Sequence, residues 1–248
     1  MTRASLLPMV WEVPEIFRER LGDKPGRQRA MFEEGHLLLV LHQAPKADEA
    51  GRRGRFFWRK PDGAWASNDL GAGTTALVKH LHEFETQLER LDKMEEDAQS
   101  AAEYFAVIDA VTPLARCVRH LHEVLQEARQ LASKDRELLN IRDRAYELDR
   151  RADLLLADSR NGLEFALARR AEQQAEEAHR MSTSAHRLNM LASFFFPLVT
   201  LAALLGTNLR HGLEELTPPY PFVILLAVGL VAGIGLQAFL RRPPRGGK

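Results

Sequence analysis

Leu188-Asn189-Met190-Leu191-Ala192-Ser193-Phe194-Phe195-Phe196-Pro197-Leu198-Val199-Thr200-Leu201-Ala202-Ala203-Leu204-Leu205-Gly206-Thr207-Asn208-Leu209 is a run of 22 residues without a charged side chain. Its reading decides the fold. A helix crosses the hydrocarbon core of a bilayer with about 20 mostly apolar residues, so this run is long enough for one span. A second uncharged run, Leu216 to Leu240, has 25 residues and is rich in Val, Ile, Leu, Ala and Gly from Phe222 onward. A hairpin buried in a soluble core is the competing reading, but globular helices seldom run beyond about 20 residues without a polar face. The two runs are read as transmembrane helices.

Charge separates this module from the rest of the chain. The 248 residues carry 34 Lys+Arg and 34 Asp+Glu, a balance that argues against a dedicated nucleic-acid binder. Residues 1–73 hold 12 basic and 10 acidic residues, residues 74–187 hold 17 and 22, and residues 188–248 hold 5 and 2. Arg180 and Arg187 precede the first span, Arg241, Arg242, Arg245 and Lys248 follow the second, and Arg210 is the one basic residue of the connecting loop. By the positive-inside rule both termini face the cytoplasm, which predicts a multi-pass protein of the cytoplasmic (inner) membrane. The first thirty residues are peppered with Arg and Glu and lack the apolar stretch of a signal peptide. A single cysteine, Cys117, permits no intrachain disulfide and reads as a small buried apolar residue.

Strand signals gather in residues 1–73, a small cytoplasmic α+β region. His36 to His42 is a short apolar run, and Arg55-Phe56-Phe57-Trp58-Arg59 is joined to Ala64-Trp65-Ala66 through Lys60-Pro61-Asp62-Gly63, a reverse-turn sequence that predicts a hairpin. Pro45 to Gly54, rich in charge and Gly, reads as a mobile loop between strands. Arg52, Arg53 and Arg55 beside Phe56, Phe57 and Trp58 read as solvated charges rather than a nucleic-acid patch.

Residues 74–187 read as a helical stalk. Thr74 or Thr75 is placed to cap a helix carrying Leu77, Leu81, Phe84, Leu88, Leu91 and Met94 on one stripe. A second helix, broken near Thr112-Pro113, carries Leu114, Leu121, Val124, Leu125 and Leu131. The third begins near Ser133, and Leu138, Ile141, Ala145, Leu148, Ala152 and Leu155 recur at steps of three and four, a coiled-coil seam. Further on its face turns small, with Ala166, Ala168, Ala171, Ala175 and Ala178. No stop signal precedes Gly206, so the stalk helix is expected to run on into the membrane for roughly 110 Å. Such a helix must pack against the two before it and, along its alanine face, against copies of itself. The expected architecture is a mostly α membrane protein with a small N-terminal α/β region. Its long helical stalk is continuous with the first of two C-terminal transmembrane helices (residues 188–248), and the whole forms a homo-oligomeric funnel.

The segment Leu188 to Leu198, followed by Gly206-Thr207-Asn208, resembles the CorA family of divalent-cation transporters. That family has a first span with Ala-x-x-Phe-x-Pro-Leu, then Gly-Met-Asn at its outer end, a short acidic loop, a second span and a basic tail. Ala192, Phe195, Pro197, Leu198, Ala202, Gly206 and Asn208 match without a gap, Leu213-Glu214-Glu215-Leu216 stands where the acidic element falls, and Tyr220-Pro221 opens the second span. The likeness covers about sixty residues. Thr207 replaces the central Met, the N-terminal region is shorter than is usual in the family, and Ala178-His179-Arg180-Met181-Ser182 stands where a Ser-Asn-x-x-Asn element is typical.

The resemblance implies a homopentamer with a central pore that carries Mg2+, or Zn2+, Co2+ or Ni2+, with Gly206, Thr207 and Asn208 as the outer selectivity filter. Asn208 would be the residue facing the ion. Magnesium dehydrates reluctantly, so a ring of neutral oxygens can hold its hydrated form and still release it. A helix C-cap is the other reading of Gly-Thr-Asn. Glu214 and Glu215 are an outer acidic loop, placing about ten carboxylates round a pentameric mouth or simply facing solvent. The family's pore-facing positions fall on Leu188, Ala192, Phe196 and Val199. Periodicity by itself picks out Asn189, Ser193, Thr200 and Thr207 instead, a polar stripe that either lines the pore or bonds neighbouring helices.

The remaining constellations carry little chemistry. His80/His82 and His120/His122 are i, i+2 pairs that diverge on a helix and cannot chelate together. His179 and His186 lie one heptad apart and read as solvated residues or, in an oligomer, as rings sensitive to pH or zinc. No nucleophile–base pair or phosphate loop occurs, so no enzyme and no resident cofactor are expected. The expected partners are a copy of the same chain, divalent cations and the lipid bilayer, with no nucleic acid.

Overall fold

Residues 6–45, 53–206, 217 and 219–240 are described by the structure, a computed structural model. Four strands form an antiparallel meander in the order β1-β2-β3-β4, namely β1 (Arg29–Glu33), β2 (His36–His42), β3 (Gly54–Arg59) and β4 (Trp65–Ser67). The β1/β2 connection is Glu34-Gly35, both at positive φ (49° and 80°), a two-residue turn whose twist suits the flanking strands. The expected β3/β4 hairpin forms, with Gly63 at φ 91° and the Lys60 N–H donating to the Ala64 carbonyl at 2.8 Å. Most of the expected loop, residues 46–52, lies outside the described residues.

β2 is a continuous apolar run because both of its faces are covered. Leu37, Leu39 and Leu41, with Phe57 and Trp65, pack toward the helices. Leu38 and Val40, with Met31, Phe56 and Trp58, pack against Leu7, Trp11 and Phe17, the last on the short helix α1 (Glu15–Glu19). Alternation would have left one face wet.

Three helices build the main core: α2 (Thr75–Glu96), α3 (Ala101–Leu131) and α4 (Arg136–Leu205). The stripe Leu77, Leu81, Phe84, Leu88 and Leu91 of α2 meets Val111, Leu114, Val118, Leu121 and Leu125 of α3. The predicted seam of α4, Leu138 to Leu155, is buried in the same cluster, so these heptads are filled by the chain's own helices. Gly162 continues that contact, since a Cβ there would stand 2.3 Å from the Tyr104 ring.

The expected cap of α2 is corrected in part. Thr74 is the N-cap of α2, but it sits in the αR conformation and makes no side-chain cap bond; Thr75 Oγ1 donates back to the Ala72 carbonyl at 3.4 Å. The well-formed cap is at α3, where Ser100 accepts from the Glu103 N–H and Glu103 accepts from the Ser100 N–H, a capping box. Ser100→Ala is expected to cost about 1 kcal/mol in the unfolding free energy of the full-length protein. The helix break near Thr112-Pro113 does not occur. Pro113 is exposed, so the carbonyl its ring deprives of a partner faces water, while Val111, Leu114 and Ala115 beside it are fully buried and hold α3 straight through.

By contacts the chain divides into Met1–Arg169 and Arg170–Lys248, and α4 contributes to both units. In the second unit α4 is followed by α5 (Tyr220–Leu240), and Ala171, Ala175 and Ala178 are exposed.

Candidate functional site

In the second unit two helices are long and apolar enough to cross a membrane, the C-terminal part of α4 and most of α5. They run antiparallel in a register set by three positions four residues apart. Gln237 Nε2 donates to Met190 Sδ at 3.4 Å, Gly233 lies against Phe194, and Gly229 lies against Leu198. A Cβ on Gly233 would stand 2.5 Å from the Phe194 carbonyl oxygen, and one on Gly229 would stand 3.2 Å from the Leu198 Cα. The backbones therefore touch at a Gly-x-x-x-Gly contact, the small-residue packing by which helices associate in lipid. This motif is legible in the sequence as a pair of small residues four apart.

The face of α4 turned to α5 is thus Met190, Phe194 and Leu198. Leu188, Ala192, Phe196 and Val199 occupy the opposite side, with Leu188 and Phe196 each 68% exposed and Val199 62%. A soluble core hairpin would have buried them; here neither helix hides its outer face within the chain. Asn189 and Thr200 are exposed as well, and Ser193 is half-buried. Thr200 Oγ1 donates to the Phe196 carbonyl at 2.8 Å, which satisfies the hydroxyl inside its own helix. Gly206 ends α4, its N–H donating to the Ala202 carbonyl at 2.9 Å, without the positive φ of a left-handed cap. Thr207, Asn208, Glu214 and Glu215 lie outside the described residues.

The histidine pairs diverge as expected. His82 is exposed and bonds Glu85, His122 bonds Asp149 at 3.2 Å, and His80 is fully buried. His179 and His186 are exposed. Among the described residues no group of three or more His, Cys, Asp and Glu side chains is placed to hold a metal.

Arg55, expected as a solvated charge, is 5% exposed. Its Nε meets Asp69 at 2.9 Å, and its Nη1 meets both Glu83 and His80 Nδ1 at 2.9 Å, tying β3 to α2. The guanidinium has only N–H groups, so Nδ1 accepts and the imidazole proton sits on Nε2, which has no partner among the described residues. Phe57 and Phe84 flank the ring at centroid distances of 5.4 and 5.3 Å. Burial first, and then the Arg55 charge, push the His80 pKa down to about 3. The cluster clamps β3 to α2 through one buried guanidinium. Asp135 clamps the other end of β3. It pairs with Arg59 at 2.7 Å and accepts from the Leu138 N–H at the start of α4. Burial raises its carboxyl pKa, but these hydrogen bonds outweigh that and hold it below the usual value.

No family model matches the sequence, and no curated protein matches it. Among solved structures the chain is similar to the full-length CmaX protein, with 15% identity, a TM-score of 0.52, and coverage of 91% of this chain and 78% of that one. The CorA magnesium transporter from Methanocaldococcus jannaschii aligns at 15% identity over 89% of this chain and 80% of that one, with a TM-score of 0.39. The likeness to CmaX is one of fold: a small N-terminal sheet, a long helix and a C-terminal apolar helix.

Proposed function

We propose that this chain is the protomer of a CorA-like divalent-cation channel of the cytoplasmic membrane, homopentameric, with Mg2+ as its first substrate. The observation that carries the reading is the ungapped match of Ala192, Phe195, Pro197, Leu198, Ala202 and Gly206 along the C-terminal end of α4, with Asn208 following two residues on in the sequence. The exposed face Leu188, Ala192, Phe196 and Val199 supports it, since a pore-lining surface must be left free by the chain's own second span. In the proposed assembly five such faces form an apolar throat that gates by dewetting, and Gly206, Thr207 and Asn208 ring its outer entrance. Glu214 and Glu215 concentrate cations there. An inside-negative potential drives a divalent ion inward with roughly 4–5 kcal/mol per 100 mV.

A second reading follows from Thr207. With a hydroxyl where the family has a long thioether, the same topology serves as a membrane-anchored coiled-coil scaffold that conducts little. Ion flux into proteoliposomes separates the two. The expected result is Mg2+ entry reduced at least tenfold in Asn208→Ala; flux of no divalent ion, or flux indifferent to that substitution, sinks the channel. Cross-linking in native membranes is expected to give a ladder up to five chains.

A further inference from the structure

At the Arg187 end of the α4/α5 pair lies an open groove of about 370 Å³, lined by Arg187, Met190, Leu191, Phe194 and Gln237. That volume falls within the usual range of small-molecule sites, about 300–1,000 Å³. Three of its five lining side chains are apolar, and the two polar groups, Arg187 and Gln237, sit where the first span begins and the second ends.

Arg187 has no carboxylate partner among the described residues, and the sequence holds no Asp or Glu between Glu177 and Glu214. Its charge is uncompensated at the mouth of an apolar slot. Gln237 Nε2 spends a hydrogen bond on the Met190 thioether, a weak acceptor that a carbonyl or phosphate oxygen readily displaces. An inorganic anion would leave the apolar wall bare, and a hydrocarbon alone would leave Arg187 and Gln237 unserved. A zwitterionic headgroup would bring its own cation up to Arg187. The chemistry that answers the whole site is an amphiphile with a net negative head.

We propose that the groove seats one acidic phospholipid of the cytoplasmic leaflet. Its phosphate meets Arg187, an ester carbonyl accepts from Gln237 Nε2, and an acyl chain lies along Met190, Leu191 and Phe194. The proposal rests on the reading of α4 and α5 as membrane spans. It makes the lipid a wedge at the inner end of the helix pair, on the side of α4 away from Leu188, Ala192, Phe196 and Val199.

The test uses the full-length protein in vesicles of phosphatidylcholine containing a quarter phosphatidylglycerol. Each lipid is introduced in turn as an analogue photoactivatable in its acyl chain, and the cross-linked peptides are mapped. Phosphatidylglycerol label is expected to concentrate on residues 187–194 and to fall about fivefold in Arg187→Gln, with phosphatidylcholine label there unchanged. Leu191→Trp, which fills the groove, is expected to lower the label from both. Label spread evenly over the exposed Val223, Val231 and Ile234, or equal use of the two lipids in the wild type, overturns the proposal. Loss of the phosphatidylglycerol label on adding inorganic phosphate also overturns it, because the site then takes a free anion. Flotation of the same vesicles separates the two readings. Protein that floats without localised label sinks the lipid site alone, and protein that does not float sinks the membrane reading and the lipid site with it.

Discussion

Gly233→Ile is expected to drive α5 off α4 and to destabilise the second unit by about 3 kcal/mol, near the upper end of typical overpacking costs. The added Cβ would land 2.5 Å from the carbonyl oxygen of Phe194. Real Cβ atoms do not approach that closely, and the obstacle is backbone. A side chain in the way rotates aside, whereas a helical carbonyl is held by the ladder of its own helix. Gly229 is the lesser contact, because its nearest obstacle is the flexible end of Leu198 at 2.5 Å, with the Leu198 Cα behind it at 3.2 Å. Gly235 is the control, where, its own helix backbone aside, no heavy atom of the described residues lies within 4 Å of a built Cβ. The measurement is cross-linking by a short thiol-reactive bifunctional reagent in the full-length protein carrying Met190→Cys and Gln237→Cys, with Cys117 replaced by Ser; the ends of the native side chains meet at 3.4 Å, and the reagent spans the gap that two shorter cysteines leave. The pair should cross-link readily on its own and with Gly235→Ile, and fail to cross-link with Gly233→Ile. Equal cross-linking in all three would mean that the glycine contact does not hold the helices together.

Acidification is expected to destabilise the N-terminal unit through His80 by the linkage of one proton, on the order of 1 kcal/mol per pH unit, between roughly pH 6 and 4. The folded imidazole titrates at about 3 and the unfolded one at its ordinary 6.5. Between those values the unfolded chain binds a proton that the folded chain refuses. The stability contributed by neutral, buried His80 is therefore complete above pH 6.5 and is lost as the pH falls toward 3. All three tryptophans, Trp11, Trp58 and Trp65, lie in this part of the chain, so tryptophan fluorescence follows its unfolding in the full-length protein. His80→Gln keeps an acceptor for Arg55 but does not titrate. Its unfolding free energy should fall less steeply with acid, by about one proton, and carboxylates common to both proteins drop out of the comparison. Parallel pH profiles for the two proteins would overturn the assignment.

Both effects arise from contacts that are only partly visible in the chain order. Gly229-x-x-x-Gly233 is a local pattern, and its meaning as a helix contact follows from the chemistry of lipid, where small residues let backbones meet. Which residues it meets is not local, because the register onto Phe194 and Leu198 depends on how the connection after Gly206 returns the chain. Arg55 is the opposite case. Beside Arg52, Arg53 and three aromatic residues it reads as one charge of a solvated group, yet its partners stand 14, 25 and 28 residues further along the chain. No periodicity within β3 announces them. β1 is hard to read locally for a related reason. In Arg29-Ala30-Met31-Phe32-Glu33 only Met31 is fully buried, so the strand is recognised by the ladder it completes and not by an apolar alternation of its own.

The sequence by itself determined the elements whose signal is dense and local: the two long apolar runs, the seam of α4, the apolar strand β2 and the Pro-Asp-Gly hairpin. Each repeats one physical preference over many neighbouring residues, so no partner is needed to read it. Tertiary structure decided the rest. It carried α3 straight through Pro113, because the buried side chains on either side of an exposed proline outweigh one lost hydrogen bond. It buried Arg55, and gave α4 one face for α5 and another left free. These outcomes turn on which surfaces meet across long separations, where a single Cβ or one desolvated charge decides between arrangements that local propensity cannot distinguish.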